Sequence, residues 1–396
     1  MTRGRLFASL TSLVFLVNLS RVIYAPLVEP LRAAFDADPG TVGTVVTLVW
    51  IGSALPRVPT GYLLTRVPRH HVVLGSGVVL TLAATFATTA NSVPTLAVGA
   101  LLMGLASGAY FVSANPLVSE LYPDRVGRAM GLHGGASQVA AVVAAPIVTV
   151  ALLVGTWRTI FAGIAVLAAA VTLVLFVVAR RTTLPEASGA DRDLLGAVRA
   201  QWRLVAAGVL VLGVTGFVWQ GIFNFYVSYA VAMKGLTEAA GRNLLTVVFL
   251  AGLPGFLVSG RLVDRFPSVP YILGILVAFV GTVLVLTVVE GLALVAVTAV
   301  LGFVIHSLFP AIDTFLLGTL PDEHRGGAYA VYSGAMMLTQ ASGSSAVGQL
   351  VERGVPYDVV FGGFAVGLAV LVAGLGLLWA VGRFPGAERG RPASAG

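Results

Sequence analysis

Cysteine is absent from the 396 residues. This excludes a disulfide framework, a thiolate metal site and a cysteine nucleophile. Lysine occurs once, at Lys234, and no Gly-x-x-x-x-Gly-Lys phosphate loop is present, which argues against ATP hydrolysis by this chain. There is no His-Glu-x-x-His helix and no Gly-x-Ser-x-Gly elbow, and the only adjacent histidines are His70 and His71. No metal, no cofactor and no enzymatic reaction is expected. Charge is scarce too: 10% of residues are charged against 57% hydrophobic. That composition belongs to a bilayer. The formal charge of +7 would suggest nucleic acid in a soluble domain, but here the cations lie in short loops between apolar runs, so a lipid bilayer and no nucleic acid is the expected surrounding.

What the chain does have is apolar runs of ~20 residues, the length at which a helix crosses hydrocarbon with every backbone group satisfied internally. They fall at about 6–28, 41–64, 72–90, 94–119, 127–153, 158–179, 204–231, 243–263, 270–289, 292–318, 326–350 and 358–382. Arg3 and Arg5 before the first run resemble a secretory signal, but Arg21 interrupts where cleavage would fall, and the run is read as a mature span. The fold class is therefore an all-α membrane protein with 12 transmembrane helices. Placing both termini in the cytoplasm puts 17 of the Lys and Arg residues inside and five outside, with Arg21 and Arg57 within spans. The longest polar stretch divides the chain into a six-helix bundle over 1–180, a cytoplasmic linker over 181–203 and a second bundle over 204–383; residues 384–396 read as a disordered cytoplasmic tail.

The two bundles repeat one another. GYLLTRVPRHH (61–71) and GRLVDRFPSVP (260–270) lie 199 positions apart, each after the second span of its half. LYPDRVGRAMG (121–131) and TLPDEHRGGAYA (319–330) each follow a fourth span. Two pseudo-symmetric units are implied.

These motifs resemble the major facilitator superfamily, and the likeness covers nearly the whole chain. The family's loop, Gly-x-Leu-x-Asp-Arg-x-Gly-Arg, is matched by Gly61, Leu63, Arg66 and Arg69 and again by Gly260, Leu262, Asp264 and Arg265, with Gly155–Arg158 and the 123–128 motif in support. The resemblance implies alternating access, with these loops as gating latches. Glu120 is placed to receive Arg66, Arg69 or Arg128, and Asp264 to face a helix N-terminus of the other half. Single surface pairs of about 0–1 kcal/mol let such a latch open. Thr65 stands where the family has Asp, and Pro68 and Pro267 replace the loop glycine, so Asp264 is expected to carry the heavier share. Proton-driven drug antiporters of the family carry an arginine in span four where this chain has Gly104, and of their span-five Gly-Pro motif only Pro146 remains.

Charges inside a bilayer are costly, which makes each a functional candidate. Arg21, Gln138, Trp219, Gln220, His306 and Gln340 fall near the middle of their spans; Arg57, Asn115, His133, Asp313 and Tyr332 form a layer roughly 10 Å toward the cytoplasm at the helical rise per residue. A guanidinium grips a carboxylate or phosphate through two parallel bonds, so Arg21 is either the substrate-recognition residue or a structural arginine bonded to carbonyls or a buried acid. Tyr24, Asn115, Gln138, Trp219, Gln220 and Gln340 complete the candidate substrate-binding set. Asp313, seven residues after His306 on one helix face, is the candidate proton-coupling site with it, or else permanently neutralises Arg57 or Arg21. Arg57 is read as snorkelling to the interface. The expected function is a secondary active transporter, proton-coupled, monomeric, moving a small organic and anionic solute across the cytoplasmic membrane. A drug or metabolite efflux antiporter of the same fold and a transport-inactive solute sensor are the alternatives.

Overall fold

The computed structural model describes residues 2–182, 194–263 and 265–386. Its helices are α1 (Thr2–Val22), α2 (Tyr24–Phe35), α3 (Pro39–Ala54), α4 (Arg57–Leu63), α5 (Arg69–Thr88), α6 (Val93–Leu121), α7 (Val126–Val154), α8 (Trp157–Ala179), α9 (Leu194–Gly208), α10 (Thr215–Lys234), α11 (Glu238–Leu262), α12 (Ser268–Val288), α13 (Gly291–Thr319), α14 (Asp322–Glu352) and α15 (Tyr357–Ala380). Among the described residues there is no strand. Three pairs are single spans interrupted in the middle, α1 with α2, α3 with α4, and α9 with α10, which leaves the twelve spans expected.

Proline places two of the breaks. Pro26 cannot donate to the Val22 carbonyl and its ring crowds that turn, so α1 stops at Val22 although Ile23 still bonds the Leu19 carbonyl at 2.9 Å. Pro59 does the same to the Leu55 carbonyl, and α4 starts afresh at Arg57. Between α9 and α10, Val209–Val214 widens into a π-type turn. Eleven of the spans are long and apolar enough to cross a membrane among the described residues. The remaining one, α14, has 31 residues. Its polar side chains make its contacts: Ser333 with Arg57, Gln340 with the Leu212 carbonyl, Ser344 with Asn224 and Ser345 with Thr44.

The repeat read from the loops recurs in the packing. In the first half α3 packs on α6, and in the second α11 packs on α13. A side chain at Gly104 would run into the Val49 carbonyl, and one at Gly302 into the Val248 carbonyl. The two glycines are 198 residues apart and the two valines 199. Glycine is required at both positions because backbone meets backbone there. The same crowding leaves no room for an arginine at position 104.

Between the halves, α3 packs along α14, α7 against α11, and α2 against α10. The described ends of the chain lie at one end of the molecule: Phe7 packs on Tyr122 at 5.3 Å and Phe384 on Phe315 at 6.1 Å. The far end, where α3 begins and α14 ends, is fastened across the halves. Ser345 N–H donates to Thr47 Oγ1 at 3.0 Å, Thr44 and Ser345 hydroxyls lie 3.5 Å apart, Ser228 donates to Glu29 at 2.5 Å and Arg242 Nε donates to Thr149 at 3.1 Å. A side chain at Gly348 would strike the Pro39 carbonyl, so these backbones also touch. Toward the termini, Arg57 donates to Ser333.

Candidate functional site

Arg21 sits two residues before the break between α1 and α2 and is 8% exposed. One guanidinium nitrogen donates to Asn18 Oδ1 at 2.5 Å and the other to Ser53 Oγ at 3.3 Å. Its plane lies between the rings of Trp50 at 5.0 Å and Phe111 at 4.8 Å. Asn18 is itself fixed by donating to the Ser137 carbonyl at 2.7 Å, so the first, second, fourth and fifth spans all hold this one cation. Asn115 lies one turn beyond Phe111 on the same face of α6, and Gln138 follows Ser137 on α7; both are half-buried.

Arg57 does not snorkel. It opens α4 pointing inward and donates across the halves to Ser333 on α14. It lies within electrostatic reach of Arg21 on one side and of Asp313 and Tyr329 on the other. Tyr329 also interacts with the Asp313 carboxylate, and its ring stands 5.5 Å from that of Tyr332. The result is a line of charge through the interface between the halves: Arg21 and Arg57 from the first, Asp313 from the second. The Nε atoms of Arg21 and Arg57, the Trp50 indole N–H and the Tyr332 hydroxyl are buried with no hydrogen-bond partner. These are donors aimed at nothing in the protein.

Other expected site residues lie inside one half or the other. Tyr24 is fully buried, its hydroxyl toward Met103 Sδ at 4.0 Å and its ring on Phe161 at 5.5 Å. It is core packing of the first bundle. His306 donates from Nδ1 to the Gly302 carbonyl at 2.8 Å and is ringed by Trp219, Phe249 and Phe309. Its ring also fills the space over Gly252. That is a tautomer held by its own helix inside an aromatic cluster, seven residues and two turns from Asp313. Gln220 accepts from Asn224 at 3.0 Å, Asn224 donates to Ser344 at 2.9 Å, and Gln340 donates to the Leu212 carbonyl in the widened turn at 3.1 Å. These amides tie α10 to α14 and satisfy backbone that the wide turn leaves open. His133 bonds Tyr110 at 3.0 Å within the first half.

Of the latch residues, Arg69 pairs with Glu120 at 2.5 Å, joining the start of α5 to the end of α6. Arg66 instead folds over its own Tyr62, 4.9 Å from the ring. Arg128 and Arg265 are exposed. A side chain at Gly61 or Gly260 would meet nothing within 4 Å, so space does not demand glycine at either. Asp264 lies outside the described residues.

Sequence reasoning passed over Glu29, Ser228, Tyr329, Ser333 and Thr149. Four are uncharged, and each matters only through a partner far away in sequence. Glu29 carried a visible signal, an acid at the end of an apolar run, but it was masked by Arg32 one turn on, with which it pairs at 2.9 Å.

Comparison with known proteins agrees with this architecture. The profile described as Major Facilitator Superfamily matches residues 10–287 and 221–395. A chloramphenicol efflux pump of Mycobacterium tuberculosis is 27% identical over 329 residues, 79% of this chain and 77% of the pump. An uncharacterised transporter of the same type from Yersinia pestis is 24% identical over 304 residues, 76% of this chain and 77% of its own. A purine ribonucleoside efflux pump of Escherichia coli is 29% identical over 143 residues, 36% of each chain. Among solved structures, a bacterial homologue of the human lysosomal transporter Spinster, inward-facing and unoccupied, superposes with a TM-score of 0.72 at 14% identity over 100% of this chain and 99% of that one. A D-xylose-proton symporter does so with 0.72 at 16% identity, over 93% and 96%. With two six-helix bundles, a charged line between them and a family profile spanning both, the chain belongs to the Major Facilitator Superfamily and is a multi-pass membrane transporter.

Proposed function

We propose that the protein is a secondary active transporter that carries a small organic anion between two six-helix halves by alternating access, coupled to protons through Asp313. One observation carries the reading: the buried Arg21 and the half-buried Arg57 stand within electrostatic reach of one another, and Asp313, across the plane where the halves meet, is a counter-charge to Arg57. A buried cation without a counter-charge is expensive. A carboxylate or phosphate on the solute supplies the missing charge and accepts from the unpartnered Nε donors through two parallel bonds. Polar contacts close the far end, so this arrangement presents the line of charge toward the end that holds the termini. That end is cytoplasmic on the arginine distribution.

A thermal-shift screen of purified protein against carboxylates, phosphate esters, sugars, amino acids and lipophilic cations tests it. A ligand at a hundred times its dissociation constant stabilises by about 2.7 kcal/mol. Stabilisation confined to anions and lost in Arg21→Ala is the expected result. Stabilisation by lipophilic cations alone, unchanged in Arg21→Ala, refutes the anionic assignment.

Export of a drug or metabolite is the second reading. The efflux activity named for the mycobacterial and E. coli relatives favours it. The absence of room for an arginine at Gly104 weighs against the antiporter chemistry that the family resemblance links to that residue.

A further inference from the structure

A second cluster of cations lies away from the line between the halves, at the termini end of the second bundle. Helix α9 bends at Gln201, whose φ of −115° and ψ of 19° leave the helical region. The bend turns the exposed Arg199, Trp202 and Arg203 toward the end of α15. That helix stops at Ala380, and Gly382, at φ 69°, reverses the chain so that Arg383 N–H bonds back to the Leu378 carbonyl at 2.8 Å. Gly386, at φ 83°, turns it again. Between the two glycines Phe384 is 5% exposed and anchors the segment on Phe315. The fold thus uses two left-handed glycines and a buried aromatic to bring Arg383 to the same cavity as Arg199 and Arg203. Together they line an open cavity of about 920 Å³. Among the described residues lining it, three are arginines and none is acidic.

We propose that this cavity binds the phosphate headgroup of an anionic phospholipid. Three arginines around one cavity, with no acid among its described lining, attract an anion, and phosphate is one their planar forks match. The neighbouring surface decides between a lipid and free phosphate. Trp202 is 58% exposed beside the cations, the placement an aromatic ring takes at a membrane surface. From the cavity, Leu377, Leu378 and Val381 continue as exposed apolar surface at the end of α15 and just past it. Within a turn, Trp379 and Ala380 begin a separate apolar groove of about 480 Å³ between α12 and α15. A soluble phosphate has no use for that groove; an acyl chain fills it.

The full-length protein in detergent, titrated with dihexanoyl phosphatidylglycerol, dihexanoyl phosphatidylcholine or inorganic phosphate and followed by native mass spectrometry and thermal stability, tests the assignment. Phosphatidylglycerol binds and stabilises, whereas the other two do not. Each basic group near a membrane surface contributes roughly fivefold to binding of an anionic lipid, so Arg199→Gln with Arg383→Gln weakens phosphatidylglycerol binding roughly 30-fold. Arg383→Gln alone, on an exposed turn that tolerates it, weakens it about fivefold. The equal charge change Arg180→Gln with Arg181→Gln, at the end of α8, leaves it unaltered. Equal binding of phosphatidylcholine overturns the proposal, as does equal stabilisation by free phosphate, which makes it a soluble-anion site, or unchanged binding in both arginine variants.

Discussion

Because the chain has no cysteine, a pair introduced across the halves reports on their relative motion without interference from native thiols. Thr44→Cys with Ser345→Cys is the informative pair. The two hydroxyls stand 3.5 Å apart at the far end, and the backbones approach so closely there that a side chain at Gly43 would press on the Ser344 carbonyl. A disulfide requires Cβ atoms about 3.5–4.5 Å apart, a separation that a small relative shift of two backbones this close supplies. Four polar contacts among the described residues cross the halves at this end: Thr44 to Ser345, Ser345 to Thr47, Ser228 to Glu29 and Arg242 to Thr149. At about 0.5–1.5 kcal/mol net for each, they hold the far end shut by roughly 2–6 kcal/mol. Contacts formed in an alternative arrangement can match a sum of that size; a covalent bond cannot be opened by it.

The cross-linked protein therefore loses uptake into proteoliposomes of whichever solute the thermal-shift screen selects. Dithiothreitol restores uptake, and either single cysteine leaves it intact. The oxidised double variant still gives the melting shift on binding that solute, because the lock sits at the far end and leaves Arg21 and Arg57 untouched. Full transport by quantitatively cross-linked protein would refute alternating access through separation of α3 and α14. Loss of transport that reduction fails to reverse would point to damage rather than to a lock.

Two further predictions concern single positions. Asp313→Asn keeps solute exchange down its gradient but abolishes uphill accumulation driven by a pH gradient; accumulation unchanged from wild type assigns the coupling elsewhere. Gly104→Ala and Gly302→Ala each force a methyl group into a backbone carbonyl and lower stability by about 1–3 kcal/mol, measured as earlier thermal unfolding in detergent. Gly61→Ala and Gly260→Ala meet open space on a helix, so stability is unchanged or raised by up to about 1 kcal/mol; similar losses at all four positions contradict the packing account.

The span count and the repeat were legible because both follow from local facts: run length, and motifs duplicated at a fixed offset. Arg21 and Asp313 were legible for a related reason, since a charge deep in an apolar run is visible without knowing its neighbours. Arg57 shows where this ends. An arginine near the end of a run reads equally as a snorkelling side chain or as a buried one, and the choice rests on Ser333, 276 residues away. His306 shows the opposite limit. It reads as a titrating group until its i−4 carbonyl and three aromatic neighbours are seen to enclose it. Arg242, near the start of α11, lies 8% exposed and bridges to Thr149, a partner no local pattern announces. The widened turn at Val209–Val214 follows Gly208 and contains Gly213, but those glycines do not show that Gln340 satisfies the Leu212 carbonyl from another helix.

The placement of Asp313 opposite Arg57, with Arg21 beyond it, bears on which coupling this site favours. An ionised Asp313 competes with an anionic solute for Arg57, because both are counter-charges to the same guanidinium. Protonation removes the competitor. For charges roughly 6 Å apart at an effective dielectric of about 20, the repulsion removed is about 3 kcal/mol, roughly a hundredfold in solute affinity. Proton and anion then bind cooperatively, which is the requirement for moving both in one direction. Exchange of a solute for protons needs the reverse, two ligands that exclude each other, and that arises naturally when the solute is a cation seeking the carboxylate. The sign of the charge on the solute and the direction of coupling are thus a single question at this site, and Asp313→Asn answers it: an anion binds the variant as tightly as it binds the wild type at low pH, whereas a cation loses its anchor.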